Sequence, residues 1–166
     1  NNTLPAPAAN VTEIKEPENK IPSDYKTYNN LAFKFSFNYP RTWNISESTD
    51  GKTITVILPI YNTRYLRNEI KLHANILTKS TDTLQEFTSW VYTQFGFAGQ
   101  VGTSTTFGGK DGYSLQKTTS SKAGTDTLVK KYTLTTGVNN NMGYYLYYIA
   151  LDTDYDQSIS EVQNVI

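Results

Sequence analysis

Cysteine is absent from this chain, which excludes disulfide staples, thiolate nucleophiles and every cysteine-ligated metal or cluster site. Histidine occurs once, at His73, so a nucleophile–histidine pair or a multi-histidine metal site has no recognisable partners in the sequence. Charge is scarce as well. Charged residues make up 18% of the chain, below the usual share of roughly a quarter, and 15 basic against 15 acidic side chains leave a formal net charge of zero. Without a basic block there is no electrostatic footprint for nucleic acid or an anionic membrane, and nucleic acid is not an expected partner. No apolar run approaches the roughly 20 residues that span a bilayer, so no transmembrane segment is expected. No basic region followed by an apolar one opens the chain in the manner of a secretory leader.

Polarity comes instead from hydroxyls and amides, carried by 24 Thr, 15 Asn and 13 Tyr. At 166 residues the chain has the size of one domain with one core. Residues 1–24 contain no aromatic residue and hold four of the six prolines, Pro5, Pro7, Pro17 and Pro22. Such a segment buries too little apolar surface to offset its ordering entropy and favours extended conformations. It reads as a disordered proline-rich linker that tethers a folded domain over residues 25–166 to a membrane or wall. Sequons at Asn1, Asn10 and Asn44 agree with an extracytoplasmic protein, secreted or anchored at the cell surface.

Within the domain, Phe33, Phe35 and Phe37 alternate with Lys34, Ser36 and Asn38, which predicts a half-buried strand over 31–38 that Tyr39-Pro40 stops. Ile54, Val56 and Leu58 predict a second strand, and Ile70, Leu72, Ala74 and Ile76 a third. Leu84, Phe87, Val91 and Phe95 follow three-and-four spacing and predict one mid-chain helix of about four turns. Asp82 or Thr83 can cap its start, Glu86 completes a candidate capping box with Thr83, and Gly96 supplies its stop. Two hairpins follow, turning at 108–112 and 137–141, and Ile159, Val162 and Ile166 predict a C-terminal helix over 155–166. The expected class is α+β, with a central antiparallel sheet of about six to seven strands covered by the two helices.

Few residues suggest chemistry. Asp152, Asp154 and Asp156 open like a calcium loop, because alternate carboxylates can converge on one hard cation. The sixth position from Asp152 is Gln157 rather than glycine and the twelfth is Gln163 rather than glutamate, and helix capping explains the same aspartates. Calcium is therefore the one cofactor that the sequence suggests, and no other is expected. Lys110 sits in a glycine-rich turn that lacks the spacing of a phosphate loop. Glu69, Glu86 and Asp111 have nothing to mark them as a glycosidase pair, and no enzyme activity is expected. Tyr144-Tyr145-Leu146-Tyr147-Tyr148 puts aromatics on both faces of one strand. One face packs on the core; on the other, Tyr145 and Tyr147 either lie under a helix or present a ladder that docks a protein or glycan.

The run Phe33-Lys34-Phe35-Ser36-Phe37-Asn38-Tyr39-Pro40-Arg41-Thr42-Trp43 resembles the opening motif of the PsbP-like family, in which an aromatic strand runs into Tyr-Pro with a tryptophan soon after. The order of elements from about Tyr25 to Ile166 is similar to that family's. The resemblance implies an α-β-α sandwich with a central antiparallel sheet, shared by extrinsic photosystem II subunits and the Ran-binding Mog proteins. Family members outside photosynthetic organisms look like exported or lipid-anchored proteins. No functional residue transfers, since Phe35, Phe37, Tyr39, Pro40 and Trp43 are of the kind that build a core. The expected role is a monomeric, non-catalytic binding or accessory module that docks a protein at the cell envelope. The alternative is a calcium- or glycan-binding surface module.

Overall fold

The computed structural model describes residues 23–59, 69–78 and 81–163. Apart from its last two residues the expected linker lies outside them, as do the sequons at Asn1 and Asn10. The elements run β1 (Tyr25–Asn30), β2 (Phe35–Pro40), β3 (Asn44–Glu47), β4 (Thr53–Ile57), β5 (Glu69–Ile76), α1 (Leu84–Gln94), β6 (Thr103–Phe107), β7 (Lys110–Ala123), β8 (Asp126–Asn139), β9 (Met142–Leu151) and α2 (Asp152–Gln163). The class is α+β. Seven strands form one antiparallel sheet in the order β3-β4-β5-β9-β8-β7-β6, and β1 and β2 form a separate two-stranded sheet.

That separation corrects the sequence reading, which placed the Phe33–Phe37 alternation in the central sheet. Lys34 takes a left-handed conformation, with φ of 56°, so residues 31–34 form the hairpin turn and the strand begins at Phe35. Strand β1 escaped notice because Tyr-Lys-Thr-Tyr-Asn-Asn has no apolar alternation. The hairpin lies on one face of the large sheet, where Phe37, Tyr39 and Trp43 pack with Ile54, Val56, Ile70, Leu72, Leu146 and Tyr148. Polar ties hold it there. Tyr144 donates its hydroxyl to the Phe33 carbonyl at 2.9 Å, Asn30 donates its amide to the Gly51 carbonyl at 3.0 Å, and Tyr28 donates to Glu47 at 2.8 Å.

Helix α2 joins the hairpin on this face, adding Tyr155 and Ile159 to the same core. Helix α1 covers β8 and β9 on the opposite face, where Phe87, Val91 and Tyr92 pack with Leu115 and Leu134. One helix therefore lies on each side of the sheet, and the α2 layer is half hairpin. The capping box at Thr83 and Glu86 is present. Helix α1 has 11 residues, about three turns rather than four, because Phe95 leaves helical geometry before Gly96 at φ of 76°. Its approach to the sheet is close: a Cβ on Gly143 would sit 2.5–2.7 Å from the Phe87 ring, so only glycine fits there.

Both expected hairpin turns are present but tighter. They use Gly108–Gly109, with φ of 57° and 73°, and Asn140–Asn141, with φ of 50° and 62°. Strands β7 and β8 reach 14 residues each and pair along their length. Helix α2 begins at Asp152, three residues earlier than the spacing predicted, and residues 164–166 lie outside the described residues.

Candidate functional site

The tyrosine strand is β9, the central strand of the sheet, and it divides its aromatics between the two faces. Tyr144 and Tyr148 are buried against the hairpin and α2. Tyr145 and Tyr147 point to the α1 face and are half-buried. They are neither wholly covered nor an open ladder. Phe95, the C-cap residue of α1, lies 5.5 Å from Tyr145 in a T-shaped contact and 4.8 Å from Tyr147, measured between ring centroids. Tyr132 adds to Tyr147 at 5.7 Å. Register places His73 directly beside Tyr145, and the two rings stack at 5.0 Å.

This row marks the margin of the helix layer. Beyond it, Lys71 pairs with Glu69 at 2.8 Å, and Thr53 hydrogen-bonds the Nδ1 of His73 at 2.5 Å. Desolvation raises the pKa of both Tyr145 and Tyr147, helped for Tyr147 by the neighbouring Tyr132 and then by the negative charge of Glu69, so both hydroxyls stay protonated donors. Burial also lowers the His73 pKa, against an opposing hydrogen bond that the ring donates to Asn75 and the charge of Asp50. The neutral imidazole is thus favoured, an aromatic plate rather than a charge.

The three aspartates lie in α2. Asp152 and Asp156, one helical turn apart, converge on the Lys131 ammonium at 2.9 and 3.2 Å, and that ammonium also lies 5.6 Å over the Tyr155 ring. Asp154 falls between them in sequence and accepts from the Thr153 hydroxyl at 3.1 Å. The two carboxylates raise the Lys131 pKa, Asp152 first. Among the described residues no three His, Asp or Glu side chains gather to hold a metal. Glu69, Glu86 and Asp111 are not brought together: Glu69 pairs with Lys71, Glu86 caps α1, and Asp111 is exposed on β7.

A second feature, which sequence reasoning missed, lies on the other face. Between the β1–β2 hairpin and the sheet is a cavity of about 250 Å³ walled by Phe35, Phe37, Val56, Leu72, Tyr144 and Leu146. The exposed side chains of Lys34 and Lys110 complete the lining, beside Phe107. Across Gly108 lies a polar hollow of about 300 Å³, lined by Thr105, Ser114, Gln116, Thr133 and Thr135. Strand alternation identifies these walls as core; the gap arises only because β1 and β2 stack on the sheet instead of joining it.

No family model matches the chain, and no curated protein matches it in sequence. Its architecture does have counterparts. The solution structure of cyanobacterial PsbP (CyanoP) from Synechocystis sp. PCC 6803 aligns over 92% of this chain and 95% of that one, with a TM-score of 0.54 and 11% identity. The fold is that of PsbP. A crystal structure from Bacteroides thetaiotaomicron VPI-5482 aligns over 78% of this chain with a TM-score of 0.52 and 13% identity, and the chain spans 43% of that protein's length. LpqN, involved in cell envelope biogenesis of Mycobacterium tuberculosis, aligns over 89% of this chain and 83% of its own at 12% identity, with a TM-score of 0.45. At such identities the PsbP likeness concerns backbone architecture alone. The motif that carried the resemblance fits it: Phe37, Tyr39 and Trp43 are buried core residues.

Proposed function

We propose that the protein is a non-catalytic accessory module that acts outside the cytoplasm and docks a protein partner at the cell envelope. The observation that carries this reading is the row His73, Tyr145, Phe95 and Tyr147, half-buried on a rigid sheet beside the Lys71–Glu69 pair. Aromatic rings with polar tips, bordered by charges, are the composition of an interface centre and its rim. Extracytoplasmic placement draws support from the Asn44 sequon, which sits exposed at the start of β3, and from the proline-rich composition before the domain.

The test is a pull-down from an envelope extract of the source organism with the wild-type protein and with Tyr145→Ala/Tyr147→Ala. The wild type should retain a partner, and the variant should bind it at least about thirtyfold more weakly, the size of a loss of about 2 kcal/mol at interface hot spots. Lys71→Glu, exposed enough to leave the fold intact, should weaken the same partner. A protein that retains nothing and instead turns over a substrate from the extract overturns the reading.

A further inference from the structure

We propose that the cavity between the β1–β2 hairpin and the sheet binds a single-chain amphiphile with an anionic head, of which a medium-chain carboxylate is the simplest example. The walls set the tail. Phe35 and Phe37 from the hairpin face Val56, Leu72 and Leu146 from three strands of the sheet. The one hydroxyl among the aromatic walls, on Tyr144, already donates to the Phe33 carbonyl. A volume of about 250 Å³ accommodates about eight methylene-sized groups, taking the roughly 30 Å³ share of a water molecule as the measure.

The charges set the head. Lys34 comes from the β1–β2 turn and Lys110 from the start of β7, so two separate elements deliver two cations to one cavity. Neither forms an ion pair among the described residues, and the lining contains no carboxylate. Two lysines on the lining of one apolar pocket, without an ion-pair partner among the described residues, are complementary to an anion attached to an apolar chain. Lys34 also occupies a left-handed turn position where glycine or asparagine is the ordinary choice, so its backbone conformation does not account for the lysine.

The cavity lies on the face of the sheet opposite Tyr145 and Tyr147, so this site and the protein-docking row stand or fall separately. The experiment is calorimetric titration of the full chain with octanoate and with 1-octanol, alongside Lys34→Gln/Lys110→Gln, whose exposed positions leave the fold unchanged by circular dichroism. Octanoate should bind one to one, raise the melting temperature with concentration, and bind at least tenfold more tightly than 1-octanol. The double variant should lose that preference and bind the two alike. Shortening the acid to hexanoate and butyrate should weaken binding about fourfold per methylene. Absence of saturable binding, equal affinity for acid and alcohol in the wild type, or a preference that survives in the double variant would each overturn the proposal.

Discussion

Tyr92 buries its hydroxyl without a hydrogen-bond partner among the described residues, and desolvation alone pushes its pKa up to about 12. A buried polar group left unpaired costs about 1–3 kcal/mol. Tyr92→Phe keeps the ring that packs with Leu115 and Leu134 and removes only the orphan, so it should raise the free energy of urea unfolding by about 1 kcal/mol. A destabilised variant would show that the hydroxyl has a partner in solution. His73 carries a second residue-scale effect. Desolvation lowers its pKa in the folded state below the usual 6.5, so the unfolded chain binds protons more readily as the pH drops past that value. The contribution of neutral His73 to stability is complete above pH 6.5 and is lost as pH falls through the lower folded value. The urea midpoint should therefore decrease between pH 7.5 and pH 5.5, and His73→Asn should flatten part of that decrease. An identical pH profile in the variant would assign the effect to other groups.

Among the elements, α1 is the one whose boundaries rest on named side chains. Thr83 accepts from the Glu86 amide at 3.2 Å, while Glu86 accepts from the Thr83 amide at 3.3 Å. Thr83→Ala removes the cap and should cost about 1 kcal/mol in chemical unfolding, the usual value for such a loss. The Thr83 hydroxyl also donates to the Glu86 carboxylate at 2.8 Å, and this bond first, then those from Asp82 and the Thr83 amide, lowers the Glu86 pKa, so this contribution is present above the ordinary carboxylate range and lost in acid. Helix α1, β4 and β5 were legible because each writes its period in apolar residues, and Gly-Gly and Asn-Asn turns announce themselves by chemistry. The β1–β2 pair was not, since Phe35 and Phe37 satisfy the same alternation whether their strand joins a sheet or lies on one. The cavity inherits that ambiguity. The aspartates misled in another way: a spacing of two brings side chains together along an extended loop, but in a helix it separates Asp154 from the Asp152–Asp156 pair.

At the scale of the whole molecule, charge among the described residues is held in small local pairs, and the Lys131 pair of carboxylates is the densest of them. Because Asp152 and Asp156 already share an ammonium, millimolar calcium should leave the melting temperature unchanged; a rise that grows with calcium would show that the carboxylates abandon Lys131 for the ion. The strand order carries a different consequence. Strand β9 lies at the centre of the large sheet, between β5 and β8, yet follows every other strand in sequence. While the chain is being made, β3–β5 and β6–β8 are therefore two partial sheets, each with a bare edge that only residues 142–151 can cover. At roughly 5–20 residues per second the β5 edge waits several seconds for its partner. The nascent polypeptide needs shielding on or near the ribosome for that interval, and a chain cut before Met142 should be recovered in aggregates rather than as half a domain.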